Sequence, residues 1–371
     1  MNPVELVLSR RLRVTPFEAR VREQGVKSYT VYNHMVLPVN FSNTLEEYQH
    51  LCEHVQLWDV AAERQVEVVG PDALELVELI TPRHIAPCEV GQCVYAPLAD
   101  EDALVVNDPI ILRLAEDRFW ISIADSDVLL WVKGIAWGRG LNVRVFEPDV
   151  SPLAVQGPKA DDVMADLLGE SVRDIKFFRF IETTIANTNV VLARSGWSGQ
   201  GGFEIYLQNS ADGLALWDAV WEAGRKYHIR SGAPNLIERL ETGLKSYGSD
   251  MTHEDSVLEC AFERYLNLDK PAPYMAQEAI EKQLAQGVPR RLCNVMVESG
   301  PLPGLRGQWE LVNEQQQVVG LASSCAYSPK YQASLLFAML SQEVSTPSTQ
   351  LTLMVDGVAY PAVVKDDRWK S

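Results

Sequence analysis

No stretch of this sequence approaches the apolar run of roughly 18 residues that a membrane-spanning helix needs. Blocks of consecutive lysine and arginine are also missing. Lys and Arg number 33 against 50 Asp and Glu, a formal net charge of −17. Phosphate backbones and anionic bilayers are held by clustered positive charge, so a nucleic-acid partner and a polybasic membrane contact are not expected. The six cysteines contain no CxxC pair, and the six histidines no HExxH. Cys88 and Cys93, four residues apart in between, carry little of a zinc pattern. We expect buried thiols, no metal and no disulfide framework. No Walker loop, GxSxG elbow or dinucleotide fingerprint occurs. What is present is ordinary globular composition, 47% hydrophobic and 22% charged, over 371 residues, which suits two or three folded domains. In Met1–Arg13 the charges follow a short apolar stretch, the reverse of a secretory signal, so a cytoplasmic setting is expected.

One unit recurs. Gln65 to Val69 alternates like a strand, Gly70-Pro71 breaks it, and Ala73, Leu76, Val77 and Ile80 fall at helical spacing after Asp72. Eighty-seven residues on (157 − 70), Leu153 to Gln156 is strand-like, Gly157-Pro158 breaks it, and Ala160, Val163, Met164 and Leu167 share a helical face. A strand, Gly-Pro and helix used twice imply two related α+β halves. Between the copies, Pro109 to Leu114 and Phe119 to Ala124 read as a hairpin turning at Glu116-Asp117. Asp125 or Ser126 is placed to cap the helix that follows. Later, Asn189 to Ala193 and Phe203 to Leu207 read as strands and Leu214 to Ala223 as a helix; Asn235 and Glu238 have capping-box spacing. Beyond Lys270-Pro271-Ala272-Pro273, an expected break, one helix near Gln277 precedes six short strands between Leu292 and Val364, the pattern of a small barrel or sandwich. The expected bounds are 1–150 with a basic arm, 151–270, and 271–371.

Three segments can carry chemistry. Asn107-Asp108-Pro109 is either a turn or a carboxylate offered to a nitrogen heterocycle. Ser195 to Tyr206 holds four glycines before Phe203, and glycines permit close approach of a ligand to the backbone. Next, Glu204 and Tyr206 share one strand face while Phe203 and Ile205 share the other, so the polar pair faces solvent or a cavity. Trp197 is core or an aromatic platform. Tyr29 to Pro38 mixes aromatic and polar groups without clean periodicity, as a pocket-lining segment or a packed arm does. The arm before it carries Arg10, Arg11, Arg13, Arg20, Arg22 and Lys27, either solvated or placed for an anionic ligand tail.

Together the Gly-Gly-Phe-Glu-Ile-Tyr stretch, the Asn107-Asp108 loop and Gly320 to Pro329 resemble the folate-dependent aminomethyltransferases typified by the T-protein of glycine cleavage. Ser9 to Arg13, Gly25 to Pro38, His54 to Asp59, Glu63 to Gln65, Ile121 to Asp127 and Pro234 to Arg239 resemble a demethylase branch of that family. The resemblance implies two related α+β domains around a central folate pocket plus a C-terminal β-barrel. It implies methyl transfer from dimethylsulfoniopropionate to tetrahydrofolate. By position, Asp108 and Tyr206 would serve catalysis, and Asp108, Glu204, Phe178 and Tyr95 would hold the folate. Tyr32, Ser122, Trp197, Tyr206 and Tyr95 would line the methyl-donor pocket. A small-molecule donor, no metal, and a monomer or homodimer follow. A methylene-transferring T-protein, a demethylase of another donor and a non-catalytic folate binder are the alternatives. Departures from the family pattern stand at Gly199, at Cys260-Ala261-Phe262, at Tyr274 to Gln277 and at Cys325. The chemistry agrees with the missing motifs: a sulfonium releases a neutral thioether and a folate nitrogen attacks, so neither acid, protein nucleophile nor metal is required, and orientation of the two substrates remains.

Overall fold

The strand Gln65–Val69 forms where alternation places it, and the chain turns at Gly70-Pro71 into the helix Ala73–Leu79. The second copy is the strand Ser151–Gln156 followed by the helix Ala160–Leu168. Glycine is needed at both turns for the same reason: an added Cβ would lie 2.5 Å from the Asn142 carbonyl oxygen at Gly70 and 2.4 Å from that of His54 at Gly157. These details come from a computed structural model, which describes residues 9–305, 307 and 309–369. Met1 to Leu8, the opening of the stretch read above for a signal, lie outside the described residues.

Each copy builds a sheet by the same rule, adding three strands in reverse chain order. Beside Gln65–Val69 come Arg118–Ser122, Ile110–Ala115 and Gln92–Tyr95. Beside Ser151–Gln156 come Gly202–Leu207, Thr188–Ala193 and Phe180–Ile185. The duplication read from the sequence is thus carried into topology. The first sheet is completed by Arg144–Phe146; the second takes Gln56–Asp59 and, parallel to it, Arg230–Gly232. Sheet membership therefore crosses the expected cut at residue 150.

Helices cover one face of each sheet. Val128–Arg139 joins Ala73–Leu79 on the first, and Gly213–Gly224 joins Ala160–Leu168 on the second, each burying an apolar stripe. The uncovered faces turn toward each other: Cys93, Leu112, Leu114 and Trp120 of one sheet pack against Phe180, Val191, Ala193 and Tyr206 of the other. This juxtaposition puts the polar side chains of both inner faces in one place. The last third closes a six-stranded barrel in the order Arg290–Val297, Ala333–Ser341, Val318–Ser328, Trp309–Val312, Gln350–Val355 and Val358–Lys365.

Several local expectations yield to tertiary contacts. Neither Asp125 nor Ser126 caps the helix Val128–Arg139, whose N-cap is Asp127. Asp125 instead accepts from the Asn33 N–H at 2.6 Å, and the Ser126 hydroxyl donates to the Val106 carbonyl at 3.0 Å. Asn235 does cap Leu236–Thr242, but Glu238 does not return the bond and both its oxygens are buried without a partner. Lys270 is no loose linker residue: its ammonium donates to the Glu78 carboxylate at 2.7 Å and to the carbonyls of Glu78 and Thr81. The basic arm is engaged internally, Arg13 with Glu147, Arg20 with Asp218 and Glu23, and Arg22 with Glu18. These three arginines are therefore committed before any anionic ligand arrives.

Candidate active site

On Gly202–Leu207, Phe203, Ile205 and Leu207 point into the core under the helices, which leaves Glu204 and Tyr206 on the inner face. That face is no solvated surface: Glu204 is 8% exposed and Tyr206 1%. The Ser195 hydroxyl donates to Glu204, and the Tyr206 hydroxyl donates to the same oxygen at 3.4 Å. Ser122, on the facing sheet, accepts from the Gln65 amide at 3.1 Å.

Asp108 stands just past the end of the strand Val105–Asn107. Asn107 fixes this corner by donating to the Ala124 carbonyl at 3.1 Å and accepting from its N–H at 3.0 Å. The Tyr95 hydroxyl donates to Asp108 at 3.0 Å, and the Tyr95 ring is held by Tyr265 at 4.6 Å and Phe262 at 6.0 Å. From the arm, the hairpin of Ser28–Tyr32 and Met35–Asn40 turns at Asn33-His34, both with positive φ. Asn33 donates to the Ala62 carbonyl at 3.0 Å and so docks Tyr32 at the cleft, where burial first, then the charges of Glu63, Asp108 and Asp125, push its hydroxyl pKa up. The mixed segment Tyr29 to Pro38 is a hairpin whose tip reaches the centre.

Glu63 was not among the residues singled out as site candidates, yet it is the third carboxyl of the cleft. Burial first, then the charges of Glu204 and Asp108, push its pKa up to about 8. Burial pushes Asp108 up to about 7 against the opposing pull of its Tyr95 bond, and raises Glu204 against its bonds from Ser195 and Tyr206. Among the described residues none of the three forms an ion pair. A carboxyl that titrates higher in the fold than in the unfolded chain makes the native state hold the extra protons, so stability falls as pH rises through that window. Without ligand, melting temperature should therefore decline from about pH 5.5 to about pH 8.5, and Glu63→Gln should flatten the decline. Scanning calorimetry across that range checks this; a melting temperature that climbs instead contradicts a proton-holding cluster.

The remaining candidates are held differently. Phe178 lies at φ +59, stacked on Phe177 with ring centres 4.3 Å apart, and its carbonyl accepts from Cys93 N–H across the sheet edges. Among the described residues no ring contact joins Tyr206 or Tyr95 to Trp197. One face carries the Arg239 guanidinium at 5.8 Å, itself backed by Phe337 at 5.5 Å and bound by Asp250 and Ser324. Tyr206 packs instead on Trp120 at 6.0 Å. The glycine-rich loop also differs from expectation. A Cβ at Gly196, Gly199 or Gly202 would strike Gln156, Thr242 or Val155, so these glycines admit the chain's own atoms; only Gly201 borders open space. Ala261, where the family pattern has glycine, sits at φ +56, a conformation glycine adopts more easily. The cysteines are free thiols and, except for Cys52, buried; no cluster that could hold a metal occurs among the described residues.

Two stacked α+β halves enclosing a cluster of carboxyls, with a barrel after them, define a known class. The chain belongs to the glycine cleavage T-protein family: residues 17–270 match the GCVT N-terminal domain and residues 290–368 the glycine cleavage T-protein C-terminal barrel domain. It is 44% identical to the dimethylsulfoniopropionate demethylase DmdA of Ruegeria pomeroyi, over 98% of both chains. To the aminomethyltransferase of Halalkalibacterium halodurans it is 30% identical, over 93% of this chain and 94% of the other. The fold agrees with the crystal structure of the glycine cleavage system aminomethyltransferase T from Bartonella henselae, with a TM-score of 0.85 over 96% of this chain and 98% of that one, at 22% identity. The α+β fold with a C-terminal barrel is as the sequence implied. No helix among the described residues is long and apolar enough to cross a membrane.

Proposed function

We propose that this protein is a demethylase that moves one methyl group from dimethylsulfoniopropionate to tetrahydrofolate, giving methylmercaptopropionate and 5-methyltetrahydrofolate. The observation that carries the reading is 44% identity spread over 98% of both chains with a protein named for that substrate. The donor set of the cleft suits the acceptor. A pterin edge presents N–H donors, and Asp108, Glu204 and Glu63 bring carboxyl groups that form no ion pair among the described residues. Tetrahydrofolate supplies a ring nitrogen whose lone pair takes the methyl group as the carbon–sulfur bond breaks, and whose N–H proton is then released.

In this reading Asp108, positioned by the Tyr95 hydroxyl, orients the pterin, and Glu204 accepts from its N–H groups while Ser195 fixes the carboxylate. Phe178 lies at the apolar margin of the folate site. Ser122, Tyr206 and Tyr32 line the donor side. Trp197 offers the face that Arg239 leaves free. No carboxylate needs to touch sulfur, since a charge held there would stabilise the ground-state sulfonium more than the transition state. A cytoplasmic setting, small-molecule partners only, no metal, and a monomer or homodimer belong to the same proposal.

Incubation with tetrahydrofolate and dimethylsulfoniopropionate should yield 5-methyltetrahydrofolate and the thioether acid in equal amounts. No transfer from that donor, with dimethylglycine or glycine betaine active, would assign the chain a sister activity. Glu204→Gln should weaken folate binding by roughly 10- to 150-fold, the equivalent of a charge-assisted hydrogen bond worth about 1.5–3 kcal/mol. A titration giving the same dissociation constant for both proteins removes Glu204 from the pterin contact.

A further inference from the structure

The helix Val128–Arg139 buries Val128, Val132 and Ala136, spaced four apart, against the first sheet. Its opposite face is uncovered. Trp137 is 90% exposed, the most of any large apolar side chain among the described residues, and Leu130 is 67% exposed. Seven residues apart, the two share a face with Gly134 between them. Of the twelve residues only Lys133 and Arg139 are charged, and a helix apolar on every side is ordinarily covered on every side. The glycines on this face point the same way. Outside the helix's own turn no atom lies within 4 Å of where a Cβ would stand at Gly134 or Gly138. An exposed glycine inside a helix costs stability against alanine, and nothing within the chain uses the space it leaves. Small residues on an apolar face let a second backbone come close.

The charges of the helix choose the partner. Asp127, at its N-terminus, is exposed and meets the imidazole of His34 at 3.7 Å. Lys133 and Arg139 lie toward the other end and form no ion pair among the described residues. One end therefore offers a carboxylate and the other a guanidinium, which makes the helix complementary to a copy of itself laid antiparallel, with the helix dipoles opposed as well. A two-fold axis between Lys133 and Gly134 sets Leu130 of each copy on Trp137 of the other. The same axis brings Asp127 of each copy beside Arg139 of the other, so every contact is made twice. Lys133 falls about 100° round the helix from Gly134, on the solvated rim.

We infer that Val128–Arg139 is the contact face of a homodimer, and that its occupant is the same helix of a second copy, running antiparallel. Two helices each about 18 Å long bury less than the roughly 1,200 Å² of a standard interface, so the dimer is weak and depends on concentration. The homodimer allowed in the proposed function thereby takes a definite face, whichever methyl donor the cleft accepts.

Sedimentation equilibrium of the full chain between about 1 and about 200 µM should show a mass that rises toward twice that of one chain. Trp137→Glu should hold the chain monomeric across that range. Gly134→Gln should weaken association by at least about tenfold, because the added side chain fills the crossing point. In dilute solution the same substitution should raise the melting temperature, since glutamine is the better helix former and meets open space. Asp127→Arg and Arg139→Asp should each dissociate the dimer alone, and an equal mixture of the two should re-form it, because every altered charge then faces its opposite. Circular dichroism confirms that each variant is folded. A chain still monomeric at about 200 µM, a dimer indifferent to Trp137→Glu, or two charge variants that fail to complement each other overturns the assignment. A monomer that instead floats with phosphatidylcholine vesicles, and loses this in Trp137→Glu, gives the face to a bilayer and overturns it equally.

Discussion

Asp108→Asn is expected to lower turnover by at least tenfold and up to on the order of a hundredfold, with the fold intact. The carboxyl is fixed from one side by the Tyr95 hydroxyl at 3.0 Å, and Tyr95 is itself clamped by Tyr265 and Phe262. The replacement amide keeps the shape and an oxygen for that bond. It loses the charge and turns one acceptor into a donor, which faces a pterin N–H the wrong way round. Removing a carboxyl whose pKa is pushed up to about 7 should not destabilise the protein near neutral pH, so lost activity reports the site rather than the fold. A second readout separates orientation from structure. If the ionised carboxylate is the working form, wild-type turnover rises with pH through about 7, while Asp108→Asn lacks that limb. Unchanged turnover at saturating folate, or an identical pH profile in the variant, removes Asp108 from the reaction.

How far the sequence reaches this site depends on the range of the forces that build each part. Alternation in Phe203 to Leu207 separates Glu204 and Tyr206 from their apolar neighbours because period two is a local property. That their face meets Trp120 and Cys93 of another sheet depends on pairing across more than eighty residues, and no local pattern encodes it. Gln56–Asp59 is buried along its whole length, so it shows no alternation to read, and its insertion beside Ser151–Gln156 emerges only in the fold. Glu63 sits in an irregular turn before Gln65–Val69, where periodicity assigns no face; its place in Glu63-Arg64-Gln65, one of the segments carrying the family likeness, was the available signal. The caps failed for a related reason. Asp125 and Ser126 have the right chemistry, but the arm hairpin and the Val106 carbonyl compete for them. Glycines between Ser195 and Phe203 signal close approach correctly and leave its object open; three of them make way for Gln156, Thr242 and Val155.

Dimethylsulfoniopropionate should donate its methyl group at least roughly a thousandfold faster than glycine betaine, a difference that asks for only about 4 kcal/mol between the two barriers. Both are zwitterions with a methylated cation and a carboxylate, so the contrast lies in the leaving group: a thioether departs from a sulfonium more readily than an amine from a quaternary ammonium. The protein adds little to that discrimination through binding. Trp197 shares its ring with Arg239 at 5.8 Å, and Tyr206 is packed on Trp120, which leaves few free aromatic faces for the donor cation. A cation–π contact of roughly 0.5–2 kcal/mol separates ligands by about thirtyfold at most, and the two cations compete for the same kind of face. Selectivity should consequently appear in turnover at saturating donor, with dissociation constants for the two compounds within about tenfold of each other. Glycine betaine should then act as a competitive inhibitor of dimethylsulfoniopropionate while forming almost no 5-methyltetrahydrofolate. Single-turnover rates with each donor, measured beside inhibition constants, separate the two contributions. Equal methyl-transfer rates would show that leaving-group chemistry does not set the preference. Failure of glycine betaine to inhibit at all would mean that the donor site distinguishes sulfur from nitrogen by contacts other than charge, and Tyr32, Ser122 and the open margin at Gly201 are where those contacts would lie.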